Sequence, residues 1–142
     1  MDFAALLAAT KTIAVVGMSN RPDRPSFMVA AVMQEGGFRI IPVNPQYAGT
    51  AILGEPCVAS LSDINEAVDI VDCFRKSEDM VAVATAAAAM TPPPKILWMQ
   101  LGVANDEAAK IAQDAGIAVV QNKCLETTYL ALNPGRKVSH EK

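Results

Sequence analysis

Thr12-Ile13-Ala14-Val15-Val16-Gly17-Met18-Ser19 decides the fold class. A continuous apolar run that ends in glycine is the pattern of a strand buried on both faces. The polar stretch Asn20-Arg21-Pro22-Asp23-Arg24-Pro25-Ser26 follows it. Ser26 to Glu35 then reads as a helix, which Gly36-Gly37 stops. Strand, polar turn and helix form the opening of a βα unit. Gly17 would let the chain turn tightly and let a ligand come close, and the helix N-terminus behind it offers free N–H groups and partial positive charge. Ser19, Ser26 and Arg24 add hydroxyls and a guanidinium suited to phosphate. A solvated polar loop with Ser26 as an ordinary helix cap is the competing reading. The dinucleotide pattern GxGxxG is missing, because Ser19 stands where its second glycine belongs, and the Walker A lysine is missing too.

The same alternation continues outward. Residues 3–9 read as a short helix ahead of the first strand, and Phe38 to Val43 as a second strand. Pro42 belongs where no amide donor is needed, or near a strand end. Asn44 to Ala59 lacks helical period and reads as an extended loop with one or two short strand pieces. Leu61 to Glu66 suits a helical turn capped by Ser60 or Ser62. Val68 to Phe74, Lys95 to Met99 and Ile117 to Val120 complete a set of five strands. Ser77 is expected to cap a helix through Ala89, and Asn105 to cap another from Asp106 to Ala115. Residues 125–142 read as a weakly structured C-terminal tail. Five apolar strands separated by helices predict a single α/β domain over residues 1–142, with a core at about 10–124. Its sheet should be mostly parallel, Rossmann-like and doubly wound, with function at the carboxyl ends of the strands.

Composition sets the outer limits. The chain has 142 residues, 51% apolar and 19% charged, which suits one domain with a real core. Its formal charge of −3 gives no generic basic footprint for nucleic acid, so an anionic ligand would have to be held by local groups. No apolar run approaches the ~18 residues of a membrane span. The start, Met1-Asp2-Phe3, has no basic region ahead of its apolar residues and does not read as a secretory signal. Cys57, Cys73 and Cys124 are widely spaced with no CxxC, so reduced structural thiols in a cytoplasmic protein are expected. His140 is the only histidine, which leaves no His-based metal cluster to expect.

The other strand ends carry further candidates. Val43-Asn44-Pro45 follows the second strand, where NAD-binding domains place an acid on the ribose. Asn44 is neutral, yet it suits an adenine or ribose edge, and Pro45 suits a flat base; a plain turn is the alternative. Phe74 and Arg75 follow the third strand as ligand candidates, with core packing and a surface charge as their bland readings. Gln100 and Gly102 form a polar lip after the fourth strand, and Trp98 reads as core. Cys73 and Cys124 lie near strand ends as candidates for redox pairing with a ligand thiol, and burial as core thiols is the plainer expectation.

Together these residues resemble the small CoA-binding protein family, whose fold is shared with the N-terminal domain of the succinyl-CoA synthetase alpha subunit. The match is carried by Val16-Gly17-Met18-Ser19, Arg24-Pro25-Ser26, Pro42-Val43-Asn44-Pro45, Leu53-Gly54-Glu55, Ser60 to Ile64, Val68 to Val71, Phe74-Arg75, Trp98 to Gly102 and Ala115-Gly116. The resemblance implies coenzyme A or acyl-CoA as the ligand. It implies that Gly17, Ser19, Arg24 and Ser26 contact phosphates, and that Val43, Asn44 and Pro45 line the adenosine. Phe74, Arg75, Gln100 and Gly102 would border the pantetheine. Such proteins often continue with an acid, a base, a Cys and a Glu-His pair. Asn122-Lys123-Cys124-Leu125-Glu126-Thr127 departs from that pattern by lacking the His. The synthetase's phosphohistidine chemistry belongs to a domain absent from this pattern, and no acid, base and nucleophile converge by sequence, so binding rather than synthesis is expected. Two other readings compete: an NAD(P)-binding oxidoreductase, and an interaction module with a vestigial nucleotide pocket. A homodimer and a separate protein partner both fit.

Overall fold

A computed structural model of the chain describes residues 1–133. Seven strands and five α-helices follow one another along these residues. They are α1 (Phe3–Ala8), β1 (Thr12–Val16), α2 (Pro25–Glu35), β2 (Arg39–Val43), β3 (Ala51–Ile52), β4 (Glu55–Pro56), β5 (Ile70–Cys73), α3 (Met80–Ala88), β6 (Ile96–Met99), α4 (Asp106–Asp114), β7 (Ala118–Val120) and α5 (Leu125–Leu132). Five strands form one sheet in the order β2-β1-β5-β6-β7, and every pairing in it is parallel. The predicted strands and crossovers are therefore present, and the two-residue β3–β4 hairpin supplies the short strand pieces expected in the loop. Pro42 lies on the edge strand β2, where a missing amide leaves no gap between strands.

The period of two sorts each strand's side chains between two cores. Ala14, Val16, Val71, Cys73, Leu97 and Met99 face α3 and α4. Ile13, Val15, Ile70, Ile96 and Trp98 face α1, α2 and α5. Helices thus cover both faces, as a parallel sheet requires. Small residues let them come close: Ala84, Ala87, Ala108 and Ala112 are fully buried where α3 and α4 pack.

Two expectations change. The segment after residue 124 begins with helix α5, whose Leu125 and Tyr129 are buried in the second core; the part of the expected tail beyond residue 133, His140 included, lies outside the described residues. Packing, rather than helix propensity, holds this short element. The helix expected from Ser77 opens as a 3₁₀ turn over Ser77–Asp79, and α3 proper begins at Met80. The Ser77 hydroxyl does not cap it, because it accepts the Ala104 amide at 3.0 Å instead.

Candidate functional site

In a sheet ordered β2-β1-β5, the chain leaves β1 toward one side and returns on the other, so the strand order reverses between β1 and β5. Ligands of open α/β sheets bind at such a reversal, beyond the carboxyl ends of the strands. Two adjoining cavities open there, and both are lined by Gly17 and Asn44.

The first cavity, about 490 Å³, lies over the α3 face of the sheet. Val16, Val43, Pro45 and Leu61 form one apolar wall and Ala82, Val83 and Ala86 of α3 the other. Asn44, Gln46, Ser60, Arg75 and Asp79 form its polar rim. Such a slot suits a flat apolar group with polar edges. The second cavity, about 540 Å³, is lined by Ser19, Arg21, Arg24, Ser26, Tyr47 and Phe74 at the start of α2.

Gly17 joins the two. Its φ is +82°, and a Cβ there would stand 2.3 Å from the Phe74 carbonyl oxygen. The glycine is therefore imposed by the neighbouring strand end as well as by the turn. The turn's own amides are largely occupied. Gly17 and Met18 donate to the Val43 carbonyl, and the Ser19 amide donates to Ser26 Oγ at 2.9 Å. The Arg21 amide donates to Ser19 Oγ at 3.0 Å. Ser26 is thus buried as a brace for the turn and is not the helix cap, a position that falls to Arg24 ahead of Pro25. What remains for an anion is the first turn of α2. Among the described residues the Ser26 and Phe27 amides have no acceptor. The Ser19 and Ser26 hydroxyls accept in these bonds, and among the described residues they donate to none.

The charges divide unevenly. Arg21 pairs with Asp23 at 3.5 Å, and Arg75 with Asp79 at 3.2 Å. Arg24 forms no ion pair among the described residues. Asn44 is committed at both ends: Nδ2 donates to the Met18 carbonyl and Oδ1 accepts the Gln46 amide, each at 2.9 Å. It ties the β1 and β2 turns together and keeps one N–H for a ligand.

Of the expected site residues, Gly17, Ser19, Arg24, Ser26, Val43, Asn44, Pro45, Phe74 and Arg75 line these two cavities. Gln100 and Gly102 line neither. Gln100 is buried, and its Oε1 accepts the Leu125 amide at 3.0 Å, so it anchors α5. The Gly102 amide donates to Asn122 Oδ1 at 2.7 Å. The α3 wall, Ser60 and Asp79 were not among the expected residues. Their only sequence signal is a stripe of small residues, Ala82 and Ala86 one turn apart, which reads equally well as core.

The cysteines separate. Cys57 and Cys73 are buried, and burial pushes both thiols up in pKa. Cys124 is only half-buried, against the expectation of a core thiol. Among the described residues no group of acids, histidines or cysteines is arranged to hold a metal ion, and no helix is long and apolar enough to cross a membrane.

The fold and its crest define a Rossmann-like single-domain α/β protein with a cleft at the strand-order reversal. A Thermus thermophilus protein of solved structure, cell-free ID.343, superposes with a TM-score of 0.88 at 37% identity, covering 92% of this chain and 96% of that one. The chain belongs to the CoA binding domain family, which it matches over residues 11–129. The uncharacterized protein YneT of Bacillus subtilis (strain 168) is 40% identical over 124 residues, 87% of this chain and 89% of its own. A dinucleotide-forming acetyl-coenzyme A synthetase of Ca. Korarchaeum cryptofilum shares the fold at 21% identity and a TM-score of 0.63, over 77% of this chain and 25% of the synthetase.

Proposed function

We propose that this protein binds coenzyme A or an acyl-CoA, with the phosphates at the start of α2 and the base in the slot against α3. The carrying observation is the meeting of two unlike cavities at Gly17: an apolar slot on one side, and on the other Arg24 beside the Ser26 and Phe27 amides, which among the described residues have no ion-pair or hydrogen-bond partner. A nucleotide that joins a flat base to a polyanion requires that combination. Membership of the CoA binding domain family supports the same ligand.

Binding of NAD is the weaker reading. Its ribose is usually gripped by an acid after the second strand. Asn44 stands there with its side chain already bridging two turns. Among the described residues of the cleft no nucleophile stands paired with a base, so the reading stops at recognition.

Calorimetric titration with CoA tests the proposal. Arg24→Ala is expected to weaken binding by about 1.5 kcal/mol, the lower end for a charge-assisted hydrogen bond, because the guanidinium is exposed. Equal affinity in both proteins would remove Arg24 from the site. Thermal stabilisation by NAD and none by CoA would overturn the reading.

A further inference from the structure

The two cavities of the cleft do not share their cations. Arg21 and Arg24 line the second cavity, whereas Arg75 lines the first and is the only cation of that lining among the described residues. Arg75 follows Phe74, whose amide donates to the Val16 carbonyl at 2.9 Å, so the end of β5 is held against the end of β1. The Arg75 Cδ stands 3.1 Å from the place of a Gly17 Cβ. The side chain thus starts beside the glycine that joins the cavities and reaches the rim of the slot. A nucleotide that spans this junction has its base in the slot and its diphosphate at the start of α2. Its ribose then lies over Gly17, with Arg75 as its neighbour.

The chemistry of the rim selects the kind of ribose. A bare ribose diol donates hydrogen bonds, and dinucleotide folds usually meet it with a carboxylate after the second strand; where the ribose carries a phosphate, an arginine takes over. Asn44 follows β2 here, already bound at both ends of its side chain. Ser60, on the same rim, is drawn to Ser62 Oγ at 2.7 Å and to Asp63 Oδ2 at 3.2 Å. Asp79 is the one acid of the slot's lining among the described residues, and it is turned to Arg75, whose Nη2 donates to its Oδ2 at 3.2 Å. Nε and Nη1 of Arg75 have no partner among the described residues. The guanidinium is steadied through one nitrogen and keeps donors on two others, a fork that takes phosphate oxygens in pairs. For a plain diphosphate, Arg24 and the α2 amides supply the contacts, and a second guanidinium on the base side has no anion to meet.

We propose that Arg75 selects nucleotides whose ribose bears a phosphomonoester of its own. The inference rests on reading the cleft as a nucleotide site and adds a determinant of specificity to it. Two ligands supply that chemistry: CoA, with the phosphate on the 3′ oxygen, and NADP, with it on the 2′ oxygen.

Calorimetric titration of the full chain with CoA, dephospho-CoA, NADP and NAD tests it, in the parent, Arg75→Gln and Arg75→Lys. Dephospho-CoA differs from CoA only in lacking the ribose phosphate. The parent is expected to bind CoA at least about tenfold more tightly than dephospho-CoA, the contribution of one charge-assisted contact. Arg75→Gln should lose that preference yet bind dephospho-CoA as the parent does, which also shows that the variant is folded. Arg75→Lys keeps the charge without the fork and should keep part of the preference. Equal affinity for CoA and dephospho-CoA in the parent would overturn the inference and leave CoA binding standing. A preference that survives in Arg75→Gln would do the same. Tighter binding of dephospho-CoA would also overturn it, making Asp79 the reader of a free diol. A preference for NADP over NAD that Arg75→Gln abolishes, with no binding of CoA, would uphold the inference and overturn the CoA reading. Binding of none of the four would overturn both.

Discussion

Single atoms decide much at Gly17. With φ at +82° and the Phe74 carbonyl oxygen 2.3 Å from the place of a Cβ, Gly17→Ala must displace the end of β5. It should cost more than about 1 kcal/mol in denaturant unfolding, and it should also weaken CoA binding, because both cavities share this residue. The glycine was legible from its place at a strand end, but its steric reason was not, since the neighbour that imposes it lies 57 positions away at Phe74. Asp72 was less legible still. Of the two acids in the run Val68 to Phe74, Asp69 takes the Lys11 and Thr12 amides, whereas Asp72 is buried with one oxygen unpartnered among the described residues and fits its strand only if it stays neutral, which sequence spacing does not report. Its consequence is a pH slope. Burial holds the folded pKa of Asp72 far above the unfolded value. The unfolded chain ionises first, so stability falls as pH rises from the unfolded pKa toward the folded one. Asp72→Asn removes that proton exchange. It should flatten the pH dependence of Tm above about pH 4 and raise Tm at neutral pH relative to the parent. An unchanged slope would show that Asp72 ionises alike in both states.

At the scale of elements, β1 and the turn after it were readable because buried parallel strands leave an uninterrupted apolar signature. Helix α5 was not. Its eight residues include the β-branched pair Thr127-Thr128, and its N-cap residue Cys124 makes no side-chain cap bond. Its stability comes from outside: the Gln100 side chain accepts its first amide, Leu125 is fully buried, and Tyr129 packs against Gly36 and edge-on to Phe38. A Cβ on Gly36 would lie 2.6 Å from the Tyr129 oxygen, so α2 ends in glycine partly to admit α5. Leu125→Ala should therefore cost about 2–5 kcal/mol, read by chemical denaturation, as for other fully buried leucines. A cost below about 1 kcal/mol would mean that α5 leaves the sheet without opening the core.

Across the whole molecule, the order β2-β1-β5-β6-β7 sets the cleft, and alternating strands and helices were enough to predict where it would fall. The cleft's walls were harder to foresee, because Ala82, Val83 and Ala86 carry only the mark of core residues. Charge has the same two-level character. The chain's net charge of −3 disfavours an anion at long range, so affinity for one must come from a few guanidiniums at contact. Two of them are already engaged: Asp23 holds Arg21 at 3.5 Å beside the second cavity, and Asp79 holds Arg75 at 3.2 Å on the rim of the first. A ligand phosphate that reached Arg75 would compete with that carboxylate. Both side chains are more than one third exposed, so the pair is worth about 0.2–1 kcal/mol. Asp79→Asn should then tighten CoA binding up to about fivefold and make it more salt-sensitive, since an attractive charge would act without its internal partner. Calorimetry at low and high ionic strength reads both effects. Weaker binding in Asp79→Asn would instead place the carboxylate among the groups that touch the ligand, and the Arg75 guanidinium would then act as its positioning partner.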